Sequence, residues 1–399
     1  MTRNADPSSA RHAGSGRSPT TIPWRKHGIL AMLLALLTAI SGTPNARGHE
    51  PAHKPEHDSA HEIVIVDDDW NIDSGGFVSE PFLPMLLQDQ SIKLAGLTAV
   101  TGDNWRDEGM ASLLRFLELI GHPDIAVYPG ANTPSWRSYD FSLDWQRRYG
   151  AYSWNGAWNS PAVEPRAHPR DPDAIIPPVW GTPSLRPAQQ NAADFMIATI
   201  HAHPGRVTLF TAGPLTTIAE VVRKDHAVPG LVKALIVCGT NIPPDLNGPR
   251  PRAAFNMMFD PEAAKIVFSA RWKSLVMPQP MGKAVLDQTM LDRIGHASPL
   301  IRRYEERSGG LGLPLWGVAN FAAFTDPASI TGTAYRQITV TVRHDAQYGI
   351  LTATGECSPS DTTGPAACAR LVQVDQHRAI TDWLASLSSI RPSAPPSEP

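Results

Sequence analysis

Asp67, Asp68, Asp69 and Asp73 place four carboxylates within seven positions, directly after the β-branched run Ile63-Val64-Ile65-Val66 and just before Gly75-Gly76. Carboxylates this close repel one another, and they are held together by full hydration, by protonation of some of them, or by a bound cation. The spacing is not that of an EF-hand loop, so a solvated acidic turn and a cation site are equally good readings of these residues alone. A second pattern, His49, His53, His57 and His61, repeats every fourth residue. On a helix these imidazoles would share a face, but Pro51 and Pro55 argue against a regular helix. The stretch reads first as an extended linker and only second as a zinc or copper tether. His344-Asp345, just ahead of Tyr348-Gly349, reads as a turn rather than a catalytic pair.

The elements that must position the acidic cluster follow from alternating apolar runs and helical patterns. Strands are expected at Ile63–Val66, Ile92–Val100, Ala126–Tyr128, Val207–Thr211, Leu235–Cys238 and Leu275–Met277, with helices at Met110–Ile120, Ala188–His201 and Pro261–Ala270 between them. That alternation is the mark of an α/β fold: one large domain with a mostly parallel, Rossmann-like central sheet flanked by helices. Ligands of such sheets collect beyond the carboxyl ends of the strands, and the aspartate cluster sits at one such end. The later runs Tyr335–Arg343 and Tyr348–Ala353, before a closing helix at His377–Leu387, read as an antiparallel addition. Residues 133–186 show little regular pattern but carry Trp136, Tyr139, Trp145, Tyr149, Tyr152, Trp154 and Trp158. A loop so long and aromatic is expected to be a lid over a flat ligand, a subunit contact in a homo-oligomer, or an insertion folded on its own domain.

Composition sets the limits. The 399 residues are 42% hydrophobic and 18% charged with a formal charge of −3, enough for a sizeable core and too little positive charge for a nucleic-acid binder. Trp24-Arg25-Lys26-His27, the apolar run 28–40 and the small residues Ala46 and Gly48 have the form of a secretory signal peptide, residues 1–48, and imply an exported, periplasmic or secreted protein. That run is shorter than the roughly 20 residues of a membrane span. Residues 49–62 then form the histidine-rich linker, 63–387 the folded domain and 388–399 a frayed tail. Of the three cysteines, Cys357 and Cys368 bracket a polar loop that a disulfide could close, and Cys238 reads as a buried strand residue.

Several phrases, in this order, resemble the inosine–uridine-preferring nucleoside hydrolases. They are Asp67-Asp68-Asp69-Trp70-Asn71-Ile72-Asp73-Ser74, Leu94-Ala95-Gly96-Leu97-Thr98-Ala99-Val100-Thr101-Gly102-Asp103, Val127-Tyr128-Pro129-Gly130-Ala131, the segment 207–219 around Ala212-Gly213-Pro214, and the segment 255–264 from Phe255-Asn256 to Ala263-Ala264. The resemblance spans most of the chain, from about residue 63 to 387, and suggests a divergent branch of that family. It implies hydrolysis of the N-glycosidic bond of a ribonucleoside or related riboside, with a calcium ion held by carboxylates and a carbonyl at the strand ends. It also implies roles: Asp67, Asp69, Asp73 and the Ala212 carbonyl as metal ligands, Asp69 and Asp73 as the catalytic pair with Asp73 the general base, and Asn256, Asp103, Asn104 and Trp70 as the substrate-binding set.

The resemblance is incomplete at the metal. Ser74 stands where the family has an aspartate ligand, Ala254 where it has an acid beside the sugar-binding asparagine, and Gly317, in Leu315-Trp316-Gly317, where it has the last metal aspartate. A hard cation prefers several charged oxygens, so a weakened calcium site is expected. Two other classes of function therefore stand beside the hydrolase: a periplasmic nucleoside- or sugar-binding protein on the same scaffold, and a metal-handling protein led by its histidine tract.

Overall fold

The structure, a computed structural model, describes residues 61–70, 79–152, 154–159, 178, 180–240, 242, 253–279, 284–308, 311–359 and 367–391. The expected signal peptide, the histidine tract up to Ala60, and Asp73 and Ser74 lie outside the described residues. Among the described residues nine strands, β1 (Glu62–Asp68), β2 (Ile92–Ala99), β3 (Val127–Pro129), β4 (Val207–Thr211), β5 (Ala234–Val237), β6 (Leu275–Pro278), β7 (Ile330–Val340), β8 (Leu351–Glu356) and β9 (Ala367–Val374), form one sheet in the order β3-β2-β1-β4-β5-β6-β9-β7-β8. The pairs from β3 through to β9 are parallel, and only β7 runs antiparallel to its neighbours β9 and β8. The mostly parallel α/β sheet is as expected, and so is the antiparallel addition. The sequence reading lacks β9, whose Arg370 and Gln373 break up the apolar run.

Twelve α-helices among the described residues connect and cover the strands: α1 (Leu83–Leu87), α2 (Arg106–Ile120), α3 (Tyr139–Tyr149), α4 (Ala192–Ala202), α5 (Thr216–Lys224), α6 (Val228–Leu231), α7 (Phe255–Phe259), α8 (Pro261–Ser269), α9 (Gln288–Ala297), α10 (Pro299–Ser308), α11 (Trp316–Thr325) and α12 (Gln376–Leu387). Their starts are written locally. Ser138, Asn191, Asp260, Asp287 and Asp375 each accept a first-turn backbone N–H of α3, α4, α8, α9 and α12, an arrangement worth about 1 kcal/mol per helix. Asp260 does so directly before Pro261, whose missing N–H costs nothing at that position. The aromatic segment is thus more regular than its composition suggests, since α3 lies inside it and buries Ser142 and Trp145.

Side chains of β1 alternate between two cores. Val64 and Val66 join the layer built from α1, α2 and α9 to α12, while Ile63 and Ile65 join the layer of α4, α5, α6 and α8 with β7. All four are buried, which is why the strand reads as a continuous apolar run rather than an alternating one. The first layer centres on Phe82, whose ring meets Trp383 at 5.0 Å and Phe321 at 6.0 Å between centroids. Truncating a buried aromatic of this kind to alanine costs about 3–5 kcal/mol.

Candidate active site

Strand order reverses between β1 and β4. From β1 the chain proceeds outward through β2 and β3, and from β4 it proceeds the other way through β5 and β6. The loops leaving the carboxyl ends of β1 and β4 therefore part company, and a crevice opens between them. Asp67, Asp68 and Asp69 leave β1 at this point, Gly102 to Asn104 follow β2, and Ala212 and Gly213 follow β4. Two backbone bonds prolong the sheet into the site: the Ala212 N–H donates to the Asp67 carbonyl at 2.9 Å, and the Val100 N–H to the Asp68 carbonyl at 3.0 Å.

Alternation continues through the aspartates and separates their roles. Asp67 takes a hydrogen bond from the Thr98 hydroxyl, 2.5 Å, across the β1/β2 pair. Asp68 points to the other face, where it lies against Ser79 and accepts the Asp69 N–H at 3.0 Å. Asp69, past the strand end, reaches sideways to the β2 loop and accepts the backbone N–H of Asp103 at 2.8 Å. That approach requires glycine at 102, where an added Cβ would lie 2.1 Å from Asp69 Oδ2. Asp103 in turn accepts the indole N–H of Trp154, and Asn256 donates through its side-chain amide to the Ala212 carbonyl.

Asp67, Asp69, Asp103, Ala212 and Asn256 are thus drawn together at the ends of β1, β2 and β4 and the start of α7. Asn104 and Trp70 are placed differently. Trp70 is fully buried in the first core layer with its indole N–H on the Thr98 carbonyl, 2.8 Å, and Asn104 donates to the Trp70 carbonyl at 3.1 Å. This pair braces the turn that carries the aspartates. His344-Asp345 lies in a turn, as expected, with the Tyr348 N–H on the Asp345 carbonyl. Two contributors escaped sequence reasoning: Thr98, the partner of Asp67, and Trp154, the partner of Asp103. Only the density of aromatics around Trp154 hinted at its importance.

Burial dominates the electrostatics. Asp67, Asp68 and Asp69 are each no more than 3% exposed. Loss of solvent pushes the Asp67 carboxyl up to about 8 against the opposing side-chain hydrogen bonds of Thr98 and Thr217. Burial also raises Asp68, and it raises Asp69 together with the nearby charges of Asp103 and Asp68. Asp67, Asp68 and Asp69 are therefore not solvated carboxylates. Three adjoining carboxyls taken out of water keep their charges only against a counter-charge, and otherwise hold protons.

Calcium is the counter-charge the resemblance implies, and the described donors do not form its shell. Asp67 and Asp68 diverge to opposite faces of the sheet, Asp69 Oδ2 is engaged by the Asp103 amide, and the Ala212 carbonyl is engaged by Asn256. At Gly317 an added Cβ would fall 2.3 Å from Phe82 Cδ2, so the aromatic ring fills the space into which an aspartate would extend. Among the described residues no group of three or more His, Cys, Asp or Glu side chains could hold a metal ion.

A family model described as inosine-uridine preferring nucleoside hydrolase matches residues 64–381. The chain belongs to this family. Similar nucleoside hydrolases include Uridine nucleosidase 1 of Arabidopsis thaliana, 27% identical over 53% of this chain and 54% of that protein. The pyrimidine-specific ribonucleoside hydrolase RihA of Salmonella enteritidis is 24% identical over 47% of this chain and 52% of that protein. The chain spans about half the length of the curated relatives it matches. Among solved structures, the plant nucleoside hydrolase PpNRh1 superposes with a TM-score of 0.61 at 21% identity, over 82% of this chain and 99% of that one. A purine-preferring ribonucleoside hydrolase from Gardnerella vaginalis gives 0.60 at 19%, over the same shares. These two show that the nucleoside hydrolase fold extends over most of the chain.

Proposed function

We propose that this nucleoside hydrolase cleaves the N-glycosidic bond of a ribonucleoside or related riboside in the crevice beyond β1 and β4. The observation that carries the reading is the gathering of Asp69, Asp103, Ala212 and Asn256 at the strand-order reversal, on the positions where the family resemblance expects them. Buried carboxyl oxygens there favour a sugar that becomes cationic as its bond to the base weakens. In the proposed reaction the base leaves with the bonding pair and gains a proton from solvent, water oxygen bonds to the anomeric carbon, and the proton that this water loses passes to an aspartate, which returns it to solvent. Asp73 is proposed as that base by its place in the motif, with Asp69 orienting the β2 loop.

A second reading is favoured by Phe82 and by the Asn256 bond to the Ala212 carbonyl, which close two places of a metal shell. It is a binding protein that captures a nucleoside or sugar and does not turn it over. Incubating the purified protein with mixed ribonucleosides and resolving free base by chromatography separates the two. Base release supports the hydrolase, whereas retention of a nucleoside with no release supports the binding protein.

Export belongs to the same proposal. Cys357 and Cys368 are joined in a disulfide that closes the loop between β8 and β9, and such bonds persist in oxidising compartments.

A further inference from the structure

Within the aromatic segment, residues 154–158 touch the site at two separate places. On one side the Trp154 indole N–H donates to Asp103, and the Ala157 N–H donates to the Gly102 carbonyl at 2.8 Å. On the other, Trp158 lies over Phe259 with centroids 4.8 Å apart, and Gly156 abuts the Phe255 ring beside Asn256. Gly156 has φ +58°, and a Cβ there would fall 2.2 Å from the Gly102 carbonyl oxygen, so the segment can come this close only with glycine. The short stretch therefore spans the β2 loop and α7, the two supports that carry Asp103 and Asn256.

We propose that Trp154 is a positioning residue: it fixes the Asp103 carboxylate, and with it the β2 loop on Asp69, so that the aromatic segment sets the grip on a ribosyl ligand. Trp154 acts through Asp103 and the β2 loop to which Asp103 belongs. The inference rests on the ribosyl reading above, and its test has an arm independent of that reading.

The test compares the full chain with Trp154→Phe, which keeps an aromatic ring and removes the donor, with Trp154→His, which restores a ring N–H, and with Trp136→Phe, an exposed change on the same segment. Nitrogen-15 NMR reads the Asp103 amide directly. Trp154→Phe is expected to shift that resonance and speed its hydrogen exchange, with thermal stability close to the parent and Trp136→Phe unchanged. With uridine as the probe, Trp154→Phe should raise KM or Kd about ten- to a hundredfold, the scale of a lost bond to a charged group, more than it lowers kcat, and Trp154→His should recover part of it. An Asp103 amide untouched by Trp154→Phe overturns the proposal, and so does uridine affinity equal to the parent's. If the parent neither hydrolyses nor binds any ribonucleoside, the ribosyl reading falls, and the Asp103 amide alone decides the role of Trp154.

Discussion

Phe82 and Gly317 are complementary: the ring of the one occupies the volume in which a side chain on the other would begin, 2.3 Å from the nearest ring carbon. Restoring the family's carboxylate at this place is therefore expected to fail. Gly317→Asp should destabilise by about 1–3 kcal/mol from overpacking alone. Combining it with Phe82→Ala should cost less than the sum of the two single changes, because the cavity made by one admits the other. Denaturant titrations of the three variants check this, and strict additivity would show that the two positions do not share space.

Asp69 holds the β2 loop through the Asp103 amide from a site with almost no solvent. Asp69→Ala should abolish any base release in the nucleoside assay while leaving the circular dichroism spectrum of a folded α/β protein. Hydrolysis at the parent rate would remove Asp69 from the site.

Calcium should stabilise the protein little. A ligand that binds only the native state at a hundred times its dissociation constant adds about 2.7 kcal/mol. Because the described donors diverge or are already engaged, chelator-treated protein given millimolar calcium is expected to show a Tm change under about 2 °C. A larger rise in differential scanning fluorimetry would mean that residues beyond the described ones complete a shell.

Glu118 of α2 supplies a pH dependence far from the site. Burial opposes its charge, but the Ser184 hydroxyl and N–H, Arg115 and the Leu185 N–H all donate to the carboxylate and hold it down at about 2. A depressed carboxylate contributes stability above its unfolded value, near 4.5, and loses it as pH falls towards 2. Glu118→Gln should thus lower Tm by about 2–6 °C at neutral pH, with the gap to the parent narrowing below about pH 4.5. A gap that is constant with pH would assign the effect to packing.

The Cys357–Cys368 bridge closes a loop of sequence separation 11. In the chain-entropy account a loop of that size contributes about 2–3 kcal/mol by restricting the unfolded chain. Replacing both cysteines with serine should lower the denaturant midpoint accordingly, and reduction of the parent should reproduce the loss. An unchanged midpoint would place the loop outside the cooperative unit.

What could be read in advance tracks how local the information is. The strand Val207–Thr211 is found with the expected bounds because five buried residues in a row, flanked by turns, have few other homes. Helix α2 begins a turn earlier than the apolar pattern, at Arg106, since its first turn carries Asp107 and Glu108 and shows no apolar face. The aspartates at the end of β1 were legible as a site because a carboxylate cluster after a strand is a local signal. Partners were not. Trp154 and Asp103 are 51 positions apart, and Thr98 and Asp67 are 31 apart, and nothing in either neighbourhood of the chain specifies which donor meets which carboxylate. Trp70 is a further case: its place beside three aspartates suggests a ligand surface, and nothing in its own neighbourhood specifies the indole bond to the Thr98 carbonyl 28 positions away.

The aromatic segment is tied not only to the crevice but also to the far end of the chain. The Trp145 indole N–H donates to the Asp345 carbonyl at 2.9 Å, Trp136 stacks on His344, and Phe141 meets Tyr348 edge-on. These contacts join residues about two hundred positions apart. During synthesis the parallel strands that carry the aspartates emerge well before residue 345, so the cover cannot seat until the last antiparallel hairpin has left the ribosome. The Trp136, Phe141 and Trp145 end of the segment is therefore secured late in synthesis, after the strand ends that carry the aspartates.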